Sequence, residues 1–120
     1  HLSIRRQRQM CIRDSIHSEE LEALLKQRAE GEADFLLVDV REDMEYEMGH
    51  IKGVDLLLPT SSFGQWAQQF LDENKDKTVI FTCRTGNRSG QVQHIFKQHG
   101  LERGINHAGG IVSYRGEIEK

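Results

Sequence analysis

A chain of 120 residues with 37% apolar content and a net charge of −3 suits one compact domain with a single core. Its longest apolar run, Phe35-Leu36-Leu37-Val38, is strand-sized and far short of the roughly 18 residues that cross a bilayer, which excludes a membrane-spanning helix. Four arginines against Asp14 put +3 on the first fifteen residues and leave −6 on the remainder, an acidic body that argues against nucleic acid as a partner.

The stretch from Arg5 to Ser15 looks like an in-frame translation of a sequencing adapter. Residues 1–15 are therefore expected to be a non-native or disordered extension, and 16–120 the folded domain. On that reading any native leader lies outside the sequence; a cytoplasmic location is expected and a periplasmic one stays open. Cys83 is then the single native cysteine, which excludes an internal disulfide framework and points to a free thiol.

Ser18 followed by Glu19 and Glu20 reads as a helix N-terminus, and Leu21, Leu24 and Leu25 recur at helical spacing, predicting a helix from about Ser18 to Ala29. Phe35 to Val40, apolar except for Asp39, predicts a strand covered on both faces. Glu42 to Met48 predicts a short helix stopped by Gly49 in a left-handed cap, and Val54 to Leu58 a brief strand ended by Pro59. Phe63, Trp66, Ala67, Phe70 and Leu71 fall on one helical face and are expected in the core. Thr78 to Thr82 predicts a third strand; beyond it, Val92, Ile95 and Phe96 mark the inner face of a helix closed by Gly100. Strands alternating with helices at this spacing imply an α/β domain, a parallel sheet with helices on both faces and ligands bound beyond the strands' C-terminal ends.

Cys83 stands at such an end and opens the turn Cys83-Arg84-Thr85-Gly86-Asn87-Arg88-Ser89. A cysteine ending a buried strand is often a small core residue. The six that follow make another reading: Gly86 and Asn87 tolerate positive φ, two hydroxyls and two arginines surround them, and a helix starts immediately after. Backbone N–H groups of such a turn, with the helix N-terminus, form a cradle for an anion, which would lower the thiol pKa and activate Cys83 without a histidine base. Arg84 and Arg88 are expected to hold an anionic ligand; solvated surface cations are the alternative.

With those residues in place, the chain resembles the rhodanese family. The resemblance spans about Ile16 to Ile118. It rests on Asp39-Val40-Arg41-Glu42 with Glu45 and Gly49-His50-Ile51-Lys52-Gly53, on the Cys83–Ser89 loop, and on Gly109-Gly110-Ile111. It implies a five-stranded parallel sheet with helices on both faces, no cofactor, and a sulfurtransferase in which Cys83 becomes a persulfide and Arg84, Thr85, Gly86, Asn87, Arg88 and Ser89 bind substrate. The implied partners are a small sulfur donor, such as thiosulfate or a persulfide, and a thiol or cyanide acceptor, with a protein acceptor possible; on oligomeric state the sequence is silent. Asp39, Arg41 and His50 are assigned to structural support. The match departs from the family at Asn106-His107-Ala108, where His107 is expected in a turn, and at Tyr114, where a Trp and a longer tail are usual; the last helix is expected to be short.

Three alternatives stay beside this reading. Cysteine phosphatases and arsenate reductases resemble Cys-x5-Arg, but six residues beyond Cys83 stands Ser89, with Arg88 one place early. A sulfur-relay or regulatory binding module needs the same cradle, and a catalytically silent module is disfavoured by an intact Cys83. No metal site is expected from the scattered His17, His50, His94, His99 and His107, and neither a Walker loop nor a dinucleotide fingerprint is present.

Overall fold

The computed structural model describes residues 14–120, so most of the expected extension lies outside the described residues. The strands are β1 (Ser15–Ile16), β2 (Leu36–Asp39), β3 (His50–Ile51), β4 (Leu56–Leu57), β5 (Val79–Thr82), β6 (Gly104–His107) and β7 (Ile118–Glu119). The helices are α1 (Ser18–Ala29), α2 (Asp43–Met48), α3 (Phe63–Asn74) and α4 (Asn87–Gln98). Five strands form a parallel sheet in the order β1-β6-β5-β2-β4, and β3 pairs antiparallel with β7 as a separate ribbon. Ser15 pairs with Asn106, so the expected boundary after Ser15 falls inside β1. Among the described residues no helix is long and apolar enough to cross a membrane.

The sheet separates two apolar layers through the two-residue alternation of side chains. Val38, Val40, Val79, Phe81 and Cys83 face one layer, where they meet Phe70, Leu71, Val92 and Phe96 of α3 and α4. Leu37, Ile80 and Ile105 face the other, with Leu21 of α1 and Ile51. Phe81 and Phe96 stack with centroids 5.6 Å apart, and Phe70 packs against both. Removing a ring as buried as Phe81 costs about 3–5 kcal/mol, so this layer holds the end of β5 firmly.

Several local expectations are corrected. While α1 runs from Ser18 to Ala29 as expected, with Glu20 accepting the His17 N–H at 3.1 Å and the Ser18 hydroxyl left for other partners, other elements differ. Gly49, at φ 153 and ψ 133, is outside the left-handed helical region. Ile95 is 39% exposed, because the inward stripe of α4 runs through Ser89, Val92, Gln93 and Phe96, spaced i, i+3, i+4 and i+7. Asn87, Arg88 and Ser89 already belong to the first turn of α4. His107 lies in β6, fully buried, and not in a turn. The chain closes through a 3-10 turn at Ile111–Ser113 and strand β7, where a short helix is expected.

Candidate active site

Cys83 follows β5 directly and is 1% exposed. The chain then turns through Arg84, Thr85 and Gly86 into α4, with Gly86 at φ 98, a conformation that favours glycine. The turn aims amides back at the sulfur: the Gly86 N–H lies 3.1 Å from Sγ and the Ser89 N–H 3.4 Å. Ser89 Oγ is also 3.4 Å from Sγ but only 2.5 Å from Asn106 Oδ1. A hydroxyl has one proton; the shorter contact takes it, leaving the backbone amides as the lasting donors to sulfur. Asn106 is fixed from its other end, where Nδ2 donates to Gly86 O at 3.2 Å.

The loop rests on the double-glycine turn after β6. Ile111 N–H donates to Cys83 O at 2.9 Å and Val112 N–H to Arg84 O at 3.1 Å. A Cβ on Gly110 would lie 2.3 Å from Arg84 O, and one on Gly86 would lie 2.9 Å from Gly109 N. Glycine at both positions is thus a requirement of backbone meeting backbone. Burial raises the Cys83 pKa, but the hydrogen bonds from Ser89 and from the Gly86 and Thr85 amides outweigh it, and the thiol is displaced downward. Such a thiol is a nucleophile near neutral pH.

The two arginines part company. Arg84 is exposed, as are Thr85 and Asn87, and among the described residues Arg84 makes no ion pair. Arg88, expected to hold an anionic ligand, forms a two-pronged pair with Glu45 on α2, Nη1 to Oε1 at 2.9 Å and Nη2 to Oε2 at 3.0 Å. Hydrogen bonding to Arg88 is the main cause that holds the Glu45 carboxyl down to about 2. Arg88 still feels the Cys83 charge, yet its own charge is matched. Glu45, already part of the motif that carries the family resemblance, joins the site by this contact across 43 residues of sequence.

The remaining expected residues lie outside the cradle. Asp39 and Arg41 are buried together, with Arg41 Nε 3.1 Å from both carboxylate oxygens and Nη2 2.9 Å from Oδ2; Nη2 also reaches Gly49 O at 2.8 Å. This joins the end of β2 to the end of α2, a scaffolding geometry. His50 stacks on Tyr46 with centroids 3.8 Å apart and donates to Tyr46 O, so its contacts are with α2 and, at 3.7 Å, Glu119 of β7. His107 has Nδ1 2.8 Å from Thr82 Oγ1 and Nε2 2.8 Å from Ser18 Oγ; burial is the main cause that pushes its pKa down to about 4. Among the described residues no group of three or more His, Cys, Asp or Glu side chains is placed to hold a metal ion.

Comparison with known proteins agrees with this architecture. A family model described as "Rhodanese-like domain" matches residues 19–117. The Bacillus subtilis (strain 168) protein named "Putative sulfurtransferase YtwF" is 32% identical over 98 residues, 81% of this chain and 89% of that protein. The "tRNA uridine(34) hydroxylase" of Pectobacterium carotovorum is 32% identical over 84 residues, 68% of this chain and 23% of that protein, so the chain spans roughly a quarter of that relative's length. A crystal structure of a rhodanese-like domain protein from Staphylococcus aureus superposes with a TM-score of 0.70 at 28% identity, covering 88% of this chain and 96% of that one. The crystal structure of SSP1007 from Staphylococcus saprophyticus gives 0.71 at 30% identity, covering 89% and 99%.

Proposed function

The chain belongs to the rhodanese-like domain family, and on that premise we propose that it moves sulfane sulfur from a donor such as thiosulfate or a persulfide to a thiol or cyanide acceptor, through a persulfide on Cys83. The Cys83 thiolate attacks the outer sulfur of the donor. A bond forms between Sγ and that sulfur, the bond from it to the rest of the donor breaks, and the remainder leaves with the electron pair as sulfite or a thiolate. The acceptor's nucleophile then attacks the terminal sulfur, and Cys83 departs as the thiolate. No oxidant enters either step.

The observation that carries this reading is the pair of backbone amides converging on Sγ at 3.1 and 3.4 Å. Donors placed there before reaction stabilise the starting thiolate, and after loading they can stabilise the persulfide anion. The loop is shorter than a phosphatase loop, and the residue six beyond Cys83 is Ser89, whose amide and hydroxyl face the sulfur.

A second reading, relay to a protein partner, is favoured by exposed apolar side chains on segments that reach the site: Val112, 62% exposed, whose amide bonds the loop, and Met44 and Met48, 76% and 77% exposed, on the helix that carries Glu45. Intact mass separates the possibilities. A gain of one sulfur after thiosulfate that cyanide removes, absent in Cys83→Ser, is the expected result. Loading by a persulfide or polysulfide alone favours the relay, and loading retained in Cys83→Ser overturns the mechanism.

A further inference from the structure

Behind the sulfur cradle runs a second polar system, buried at Thr82 and His107 and reaching the surface at Ser113. Thr82 Oγ1, one residue before Cys83, contacts His107 Nδ1 at 2.8 Å, and His107 Nε2 contacts Ser18 Oγ at 2.8 Å. Ser18 Oγ contacts Ser113 Oγ at 2.6 Å, and Ser113 Oγ donates to Gly110 O at 3.0 Å. A neutral imidazole offers one donor and one acceptor, so one direction satisfies every member: Thr82 donates to Nδ1, Nε2–H donates to Ser18, Ser18 to Ser113, and Ser113 to the Gly110 carbonyl.

This chain ends where the loop is held. Gly110 is the residue whose Cβ would strike Arg84 O and Cys83 O; the His107 carbonyl itself lies 3.3 Å from the position of a Gly86 Cβ and accepts the Gly110 N–H at 3.2 Å. The ring therefore joins β5, β6 and the start of α1 where the backbone of His107 to Gly109 packs under Gly86. We propose that His107 is a positioning residue for Cys83, holding through Thr82, Ser18 and Ser113 the floor on which the amides of Gly86 and Ser89 are aimed at the sulfur. The functional meaning rests on the sulfur-transfer reading above, but the geometry does not.

The sign of the effect follows from the balance at Cys83. Burial raises its pKa and the hydrogen bonds lower it; a floor that relaxes lengthens the bonds and leaves burial in place. The charged groups nearby stay where they are: Arg88 with Glu45, and Glu42, on the sulfur side, and His17 beside His107.

The test titrates the thiol by its rate of alkylation with iodoacetamide against pH, which requires no sulfur transfer. The variants are His107→Leu, Ser113→Ala at an exposed hydroxyl, and the double variant His107→Leu with Thr82→Val. The expected result is a rise of about one unit in the Cys83 titration for His107→Leu, an up to roughly tenfold slower alkylation below the titration midpoint, and a smaller rise for Ser113→Ala. The double variant removes the orphaned threonine hydroxyl and should regain thermal stability while keeping the raised titration. An unchanged titration in folded His107→Leu, or a titration that returns to wild type with stability in the double variant, overturns the proposal. If His107→Leu does not fold, Ser113→Ala decides by the same criterion. Wild-type protein that fails to load sulfur would refute the functional reading alone.

Discussion

The pairing of Glu45 with Arg88 sets stability and donor binding against each other, and Glu45→Gln separates them. The carboxyl is held down from 4.5 to about 2, which at 1.36 kcal/mol per unit is nominally about 3 kcal/mol of linkage. Both side chains are 33% exposed, and solvent screening at such a site reduces the net effect to about 1–2 kcal/mol. The folded-state pKa is depressed, so this stability is fully present above about 4.5 and is lost as pH falls through about 2. Urea unfolding should therefore place Glu45→Gln about 1–2 kcal/mol below wild type at pH 7, with the gap closing as the pH drops from about 4.5 towards 2.

Activity should move the other way. Arg88 is within electrostatic reach of Cys83, and removing the opposing carboxylate leaves its charge unmatched beside an anionic donor. One charge at a partly solvated rim changes binding by about 0.5–1 kcal/mol, so the thiosulfate KM should fall roughly two- to fivefold at low salt and less at high salt. A variant with wild-type stability at pH 7 and an unchanged thiosulfate KM would refute the reasoning, because the pair would then be neither stabilising nor charge-matching.

Gly86→Ala should cost at least about 1–3 kcal/mol in strain, since φ is 98 and the new Cβ would lie 2.9 Å from Gly109 N; denaturation and thiol alkylation should both report it. Asp39→Asn leaves the buried Arg41 guanidinium short of its counter-charge, and a loss of about 3–5 kcal/mol in urea unfolding is expected; a loss below about 1 kcal/mol would mean that Gly49 O alone satisfies the arginine. His107 is held neutral by burial, its pKa down from 6.5 to about 4. The unfolded chain binds the proton first, so wild-type stability should fall as pH drops from about 6.5 to about 4, by at most about 3 kcal/mol, a slope that His107→Leu should lack in the same unfolding series.

What the sequence discloses depends on how local the cause is. The strand before Cys83 and the face of α3 follow from short-range periodicity, and the structure places both where that periodicity points. The Cys83–Ser89 turn is readable because glycine, hydroxyls and a helix start are adjacent in the chain. Ile95 is misread because the stripe on α4 includes two polar members, Ser89 and Gln93, whose partners Asn106 and Gly104 O lie on β6. His107 is misread for the same reason: its justification is two hydroxyls 25 and 89 residues away, and beside the double glycine its nearest neighbours suggest a turn. Glu45 shows the limit most clearly: the motif that carries the family resemblance includes it, but its partner is fixed only when α4 brings Arg88 to it.

The arginines of the loop thus contribute less to the field at the sulfur than their number implies. One is matched by Glu45 at contact distance, and the other stands exposed in water, where a charge is weakened by screening. The amides of Gly86 and Ser89 are fixed dipoles in a buried setting, where a hydrogen bond is electrostatically stronger than in water, and their aim is set by backbone packing on the double glycine rather than by side chains. Stabilisation of the thiolate and of the persulfide anion should therefore persist at high salt, while the affinity for a free anionic donor should not. Measured at rising ionic strength, thiol titration and thiosulfate KM should diverge; if both shift together, side-chain charge and not the backbone governs the site.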